Sequence, residues 1–436
     1  MRFSTHCHIF NLQTVFNSGT LKILEDRLKE DYKLSAGGAE AAVGFLRGMM
    51  GVGGLVGSDT KPLPPDWGEK GPWDALMLGL RSTMDLVTDN MMGQLAELKE
   101  LGPDIAVTPL MMDILTDYQA ESDFPDKLFD AQVAGTQQQM LRYPGRVLPF
   151  YAVNPYRWNC YNRTITALTQ GGFVGVKLYP SLGYTLDQAL NPNTDAGKTM
   201  ADIMKYCNDN DIPMLMHCNL GGFKQTDDTA QYCDPALWGL RSNRDGYLDT
   251  FTRLKISFGH FGGSENFVQK NDDDTFQSVI AKDSFTEHIL ALIGAYHGRV
   301  FADVSYHQEG VQGSPARSAY MNSLKNIMQY DGYRTQVLWG TDTWLVRMAS
   351  MEKDYWESFD GRDALAPVDF DLMSVGNPRA FLGFDDQNLA NNKKNIWSYV
   401  RFMESRASTM PADAKQSASW LQKAFRVPAA QRSYPS

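Results

Sequence analysis

His6 and His8 stand two residues apart in MRFSTHCHIF, with Cys7 between them. Side chains on an extended strand alternate between faces, so the two imidazoles share one face and Cys7 takes the other. Such a pair is half of a divalent-metal site, because a catalytic ion needs three or more protein ligands around it. The chain has only seven histidines. Four of them, His6, His8, His217 and His260, fall at or just before the end of a short apolar run, and Lys177 and Asp342 fall at the ends of two others. Together these residues offer nitrogen and carboxylate donors suited to Zn²⁺, Mn²⁺ or Fe²⁺.

The runs that carry these residues recur with a regular beat. After the opening strand come DIAVTPL (104–110), RVLPFYAV (146–153), FVGVKLYP (173–180), IPMLMHCN (212–219), LKISFGHF (254–261), RVFADVSY (299–306) and QVLWGTD (336–342). Their near-continuous hydrophobicity is that of parallel strands covered on both faces, and each interval has room for a helix. One such helix carries Phe285, Ile289, Leu292, Ile293 and Tyr296 and ends at Gly298. Another carries Met84, Val87, Met91, Leu95 and Leu98 and ends at Gly102 and Pro103. Eight strands alternating with helices close into a (β/α)8 barrel, whose chemistry sits where the C-terminal ends of the strands converge.

Two regions fall outside this rhythm. Residues from about 11 to 80 form an insertion after the first strand, with helical stretches at 20–33 and 38–50 and an irregular loop, GVGGLVGSDTKPLPPDWGEKGPW; a loop this long is expected to serve as a lid, a binding loop or an oligomer contact. A helix is expected at about 344–358. Residues 385–436 form a C-terminal extension with a helix near 393–404, so the domain reading is a barrel over 1–384 followed by this tail.

Composition narrows the partners. Hydrophobic residues at 43% and charged residues at 21% are globular values. A net charge of -10 and the lack of a basic stripe argue against nucleic acid. No secretory leader is visible, and the most apolar stretch, Ala41 to Val56, holds Arg47 and five glycines, too broken to span a bilayer. Five cysteines without paired spacing point to a reducing compartment, the cytoplasm by default. The expected partner is a small-molecule substrate, with a homo- or hetero-oligomer left open. There is no Gly-x-Ser-x-Gly, phosphate-binding loop or Cys-x-x-Cys, and GVGGLVG lacks the preceding strand of a dinucleotide fold.

The motifs THCHIFN, GFVGVKLYPSLGY, MHCNLGG, DPALWGL, LKISFGHFGG, FADVSYH, WGTDTW and NPRAFLGF, in this order, resemble the amidohydrolase superfamily, in particular its amidohydrolase-related branch of metal-dependent hydrolases and decarboxylases. The resemblance covers about residues 1–12 and 104–384. It implies that His6, His8 and Asp342 hold a first metal and that His217 is a further ligand. It gives His260 either a second metal or a substrate and proton-transfer role, and Lys177 either a carboxylated bridge between two metals or a charge that holds substrate. One or two ions are implied, zinc first, then manganese or iron. Asp342 and His260 are the catalytic candidates, with Asp342 beside the metal-bound water as proton acceptor.

Substrate contacts are expected from Lys177, Tyr179, Arg157, His307 and Trp344; Arg157 follows a strand end where a planar guanidinium can clamp a carboxylate. His288 and His297 read as structural, Cys7 and Cys218 as buried packing. The leading expectation is hydrolysis of a C–N or C–O bond in a small amide, lactone or cyclic substrate. Its alternative is non-oxidative decarboxylation of an aromatic or unsaturated acid. Iron-dependent oxygen chemistry and a non-catalytic assembly subunit are further readings on the same scaffold.

Overall fold

A computed structural model describes residues 1–10, 83–98, 105–114, 124–189, 191–239, 246–343, 350–360 and 363–435. The predicted insertion at 11–80, with its helices and loop, and the start of the helix predicted at 344–358 lie outside these residues.

Each apolar run forms a strand. In chain order these are β1 (Arg2–Cys7), β2 (Ile105–Pro109), β3 (Phe150–Val153), β4 (Gly175–Leu178), β5 (Met214–Met216) and β6 (Ile256–Phe258), then a hairpin of β7 (Val268–Lys270) and β8 (Phe276–Ser278), then β9 (Val300–Asp303) and β10 (Val337–Leu338). A parallel ladder joins β3, β4, β5, β6, β9 and β10, and a second joins β1 to β2. Two seams link the ladders. Between β2 and β3, Val107 N donates to Arg146 O at 2.7 Å and Leu148 N to Val107 O at 3.0 Å. Between β10 and β1, Thr5 N donates to Trp339 O at 2.8 Å and Thr341 N to His6 O at 3.0 Å. With both seams hydrogen-bonded, eight parallel strands run in a ring, and the chain is a (β/α)8 barrel.

The crossover helices form for legible reasons. Helix 195–210 is capped by Thr194, whose hydroxyl accepts from Gly197 N at 3.0 Å, and buries Met200, Ile203, Met204 and Cys207, a spacing of three and four that makes one apolar face. Helix 285–295 is capped by Ser284 and buries Phe285, Ile289, Leu292 and Ile293 against the ring. Helix 84–96 buries the predicted face, including Val87, Met91 and Leu95, but ends at Glu97, before Gly102. The hairpin β7–β8, unforeseen because VQK and FQS have no apolar run, stands in the loop after β6.

The extension after residue 384 joins the barrel's own core: Ile396, Trp397, Val400 and Trp420 belong to one apolar cluster with the strands. Trp420 donates its indole N–H to Gly145 O at 2.8 Å, and Tyr399 accepts from Gly145 N at 2.8 Å, just upstream of β3. The extension therefore covers the N-terminal end of the ring and leaves the C-terminal mouth free of it. No helix among the described residues is long and apolar enough to cross a membrane.

Candidate metal centre

The strand ends bring His6, His8, His217, His260 and Asp342 to one mouth, all at most 5% exposed. His6 needs unusual room. A Cβ on Gly340 would lie 2.6 Å from His6 Cβ, and one on Gly259 would lie 2.9 Å from its ring, so glycine at both positions lets the imidazole sit between β6 and β10.

Hydrogen bonds fix the tautomers. His8 Nδ1 lies 2.9 Å from the Leu110 carbonyl, which can only accept, so Nδ1 carries the proton and Nε2 presents a lone pair. His6 Nδ1 lies 3.1 Å from each oxygen of Asp303, which again leaves a lone pair on Nε2. Both lone pairs face Asp342 Oδ1, at 3.1 Å from His8 and 3.7 Å from His6. With the His8 ring neutral this contact sets a lone pair against a carboxylate oxygen, and it becomes attractive with a proton or a cation between them. His6 Nε2 and Asp342 Oδ1 are buried without a hydrogen-bond partner among the described residues. Three buried electron pairs aimed at one another suit a cation. Tetrahedral ligation at Zn–N distances near 2.1 Å gives ligand-to-ligand edges of about 3.3 Å, the range seen here.

A similar confrontation occurs beside it. His260 Nδ1 faces the Ser305 carbonyl at 3.2 Å, and His217 Nε2 faces the Gly221 carbonyl at 3.2 Å. The lone pairs of His260 Nε2 and His217 Nδ1 then meet at 3.1 Å, a place for a shared proton or a cation. His6, His260 and Asp303 also lie close enough to hold an ion. Because His6 Nδ1 must donate to Asp303, we read that group as support for the first locus, the carboxylate–histidine arrangement that orients a metal ligand.

Charge at the mouth is set by burial. Burial, then the neighbouring His6, pushes His260 down to about 4, and burial holds His217 well below the usual imidazole range, so both rings stay neutral near pH 7. Burial opposes the Asp342 anion, but donation and positive charge from its imidazole neighbours, His8 foremost, hold the carboxyl far below the ordinary range, so the carboxylate is stable here only with positive charge beside it. Lys177 on β4 is 1% exposed, and its Nζ has no hydrogen-bond partner among the described residues; burial brings it down to about 8 despite Asp303 and Asp342.

A cavity of about 330 Å³ opens above these groups, lined by His8, His217, His260, Asp342 and Tyr179 together with Met112, Asn219, Phe223, Glu265, Tyr306 and Gln308. Tyr179 stacks on His217 with centroids 4.0 Å apart. Lys177 is not among the residues that line the cavity, and two further expected substrate contacts are placed elsewhere. Arg157 is locked in a two-pronged pair with Asp113 at 2.7 and 2.6 Å and does not line the cavity. His307 is fully buried behind His260, bonded to Tyr320 and to a backbone carbonyl. Trp344 lies outside the described residues. His288 pairs with Asp234 and His297 with Thr335, both away from the mouth. Asp303 and Ser305 were not foreseen. The available signal was Asp303 itself, a charged residue closing the buried run VFAD at a strand's C-terminal end.

The fold and its strand-end donors define a (β/α)8 barrel with a candidate metal centre at its C-terminal mouth. A family model described as Amidohydrolase matches residues 103–384, more than half of the chain, and the chain belongs to that family. No curated protein matches it. Among solved structures it is similar to a probable 2-pyrone-4,6-dicarboxylic acid hydrolase from Acinetobacter baumannii, at 15% identity and TM-score 0.46 over 88% of this chain and 99% of that one. It is also similar to a 5-carboxyvanillate decarboxylase from Novosphingobium aromaticivorans with bound manganese, at 13% identity and TM-score 0.48 over 88% and 97%. A third is 4-oxalomesaconate hydratase from Rhodopseudomonas palustris, at 15% identity and TM-score 0.42 over 88% and 95%.

Proposed function

We propose that the protein is a metal-dependent hydrolase that cleaves a C–N or C–O bond of a small amide, lactone or cyclic substrate. The observation that carries the reading is the convergence of His6 Nε2 and His8 Nε2 on Asp342 Oδ1, at 3.7 and 3.1 Å, with His6 Nε2 and Asp342 Oδ1 buried and lacking a hydrogen-bond partner among the described residues. These three residues would hold a divalent ion, with His217 and His260 alongside. When bound, such an ion makes water a nucleophile near neutral pH and polarises the oxygen of the group attacked. Asp342, kept ionised at the cavity floor, accepts a proton from the entering water and returns it to the leaving group. His260 and His217, neutral and in contact, turn two facing lone pairs toward each other at 3.1 Å, where a proton or a cation would bridge them. Lys177 supplies positive charge behind the site, and Tyr179 walls the cavity and fixes the His217 ring by stacking.

The buried Lys177 ammonium, whose Nζ has no hydrogen-bond partner among the described residues, also fits a substrate carboxylate, and this favours decarboxylation of an aromatic or unsaturated acid as the second reading. One experiment separates the outcomes. The purified protein is analysed for ion content per chain, then turned over in H₂¹⁸O on amide, lactone and aromatic-acid panels. An ion at one or two equivalents with ¹⁸O in the product supports hydrolysis. CO₂ release without ¹⁸O replaces hydrolysis with decarboxylation. A protein that holds no ion and takes none up overturns the metal-centre reading itself.

A further inference from the structure

Three residues that begin at the last position of β9, each two apart, reach the same neighbour. Asp303 Oδ1 accepts from the His260 backbone N–H at 3.2 Å. The Ser305 carbonyl and hydroxyl lie 3.2 and 3.0 Å from His260 Nδ1. His307 Nε2 lies 2.7 Å from the His260 carbonyl. The N–H, imidazole and C=O of one residue are thus each gripped by a different member of the sequence Asp-x-Ser-x-His.

The grip acts on a backbone that resists its shape. His260 has φ +60° and the following Phe261 has φ +43°, the left-handed region that costs a side-chain-bearing residue about 1–3 kcal/mol. Without outside bonds this turn relaxes, and the imidazole swings with it. His307 is built to prevent that. A carbonyl only accepts, so His307 Nε2 must be protonated and Nδ1 must accept, and it accepts from the Tyr320 hydroxyl at 2.5 Å. Tyr355 Oη accepts from the His307 backbone N–H at 2.8 Å and donates its own O–H to Val304 O at 2.5 Å. Tyr320, Tyr355 and His307 are all fully buried, so water cannot substitute for any of these partners.

We infer that His307 is a positioning residue: with Tyr320 setting its tautomer, it holds the left-handed turn of His260 and so keeps the His260 imidazole against His217. The role does not depend on the substrate or on the reaction class, and it leaves His307 without contact to the cavity.

The test uses zinc-loaded protein with ¹⁵N-labelled histidine, in which seven side chains give resolvable ring signals, assigned by single substitutions. His307→Leu removes the donor. His307→Gln restores an N–H to the carbonyl. Tyr320→Phe removes the hydroxyl that fixes the tautomer. In His307→Leu and Tyr320→Phe the His260 and His217 nitrogen shifts should leave the single-tautomer positions and average, while His307→Gln should keep them; the remaining histidines serve as internal controls. On any substrate the protein turns over, kcat should fall about 10–100-fold with KM little changed, the usual cost of losing an orienting partner. A folded His307→Leu protein with unchanged His260 and His217 shifts would overturn the inference. Should that variant fail to fold, Tyr320→Phe, which removes one oxygen, decides the matter by the same shifts. Loss of zinc from wild type itself would count against the metal centre and would leave the ring shifts to be read in the metal-free protein.

Discussion

Asp303→Asn is the perturbation that most directly interrogates the tautomer argument. Asp303 is fully buried, and its two oxygens divide the work. Oδ1 takes His260 N at 3.2 Å, Ser305 N at 3.2 Å and Ser305 Oγ at 2.5 Å, and it also lies 3.1 Å from His6 Nδ1. Oδ2 takes only His6 Nδ1, at 3.1 Å. An asparagine will place its single oxygen where three donors converge, leaving its NH₂ against His6. His6 Nδ1, 3.1 Å from both positions, loses its charged acceptor and faces an NH₂ at one of them; in the tautomer that accepts from this NH₂ the His6 proton sits on Nε2, points at Asp342 and blocks the lone pair that would hold the ion. Every buried polar atom keeps a partner, so the metal-free protein loses only the charge assistance of these bonds, about 1 kcal/mol. Metal affinity should fall much further, about 10–100-fold, equivalent to about 1.4–2.8 kcal/mol. Competition of Zn²⁺ against a chromogenic chelator measures the second quantity, and urea unfolding in chelator measures the first. A folded Asp303→Asn protein that binds Zn²⁺ as tightly as wild type would refute the reasoning, because the His6 lone pair would then not depend on the carboxylate.

Three further outcomes are expected. Gly340→Ala puts a methyl group 2.6 Å from His6 Cβ and should destabilise the fold by about 1–3 kcal/mol while lowering ion content, read by thermal unfolding and elemental analysis. For Lys177, folded at about 8 against a higher unfolded value, the unfolded chain binds the extra proton between pH 8 and 10.5; the buried charge therefore costs stability below pH 8, and the cost is relieved as pH rises through that window. Metal-free Lys177→Met should accordingly exceed wild type in stability at pH 7, by up to about 3 kcal/mol, with the difference shrinking toward pH 10 in urea titrations; an advantage independent of pH would contradict the assignment. Trp420→Ala should cost about 3–5 kcal/mol by denaturant unfolding, since Trp420 is 1% exposed and bonded to Gly145, yet it should leave the ion content of the folded fraction unchanged.

Much of this architecture was legible because parallel strands covered on both faces leave an unmistakable trace: MLM in β5 and ISF in β6 are entirely buried, and their runs stand out from amphipathic helices. The histidines were legible for the same reason, being polar residues at the close of apolar runs. What escaped was set by partners distant in sequence. Nothing near Arg157 announces Asp113, 44 positions upstream, which holds its guanidinium away from the cavity. Asp303 meets His6 across 297 positions, and only the closed ring shows the pair. His307 follows a strand end as His260 does, but the left-handed residue before it, Tyr306 at φ +56°, accompanies its turn into the protein behind the mouth. Side-chain direction after a strand depends on single dihedrals that composition does not encode.

The seam between the first and last strands has a consequence for how the protein comes to exist. His6 and His8 are made more than three hundred residues before Asp342, whose backbone N–H donates to His6 O at 2.8 Å. No shorter nascent chain can assemble the three-ligand locus, so an incomplete polypeptide has no centre with which to misfire. The loop closed by that seam is among the longest the chain can form, and its entropic cost must be met before the contacts across it stabilise anything. If the proposed ion is seated at the junction, it would bind only the closed ring, and its affinity would add directly to the stability of the finished barrel. The centre is then a clasp as well as a site of chemistry, and metal supply during biosynthesis should govern how much of the protein reaches the folded state.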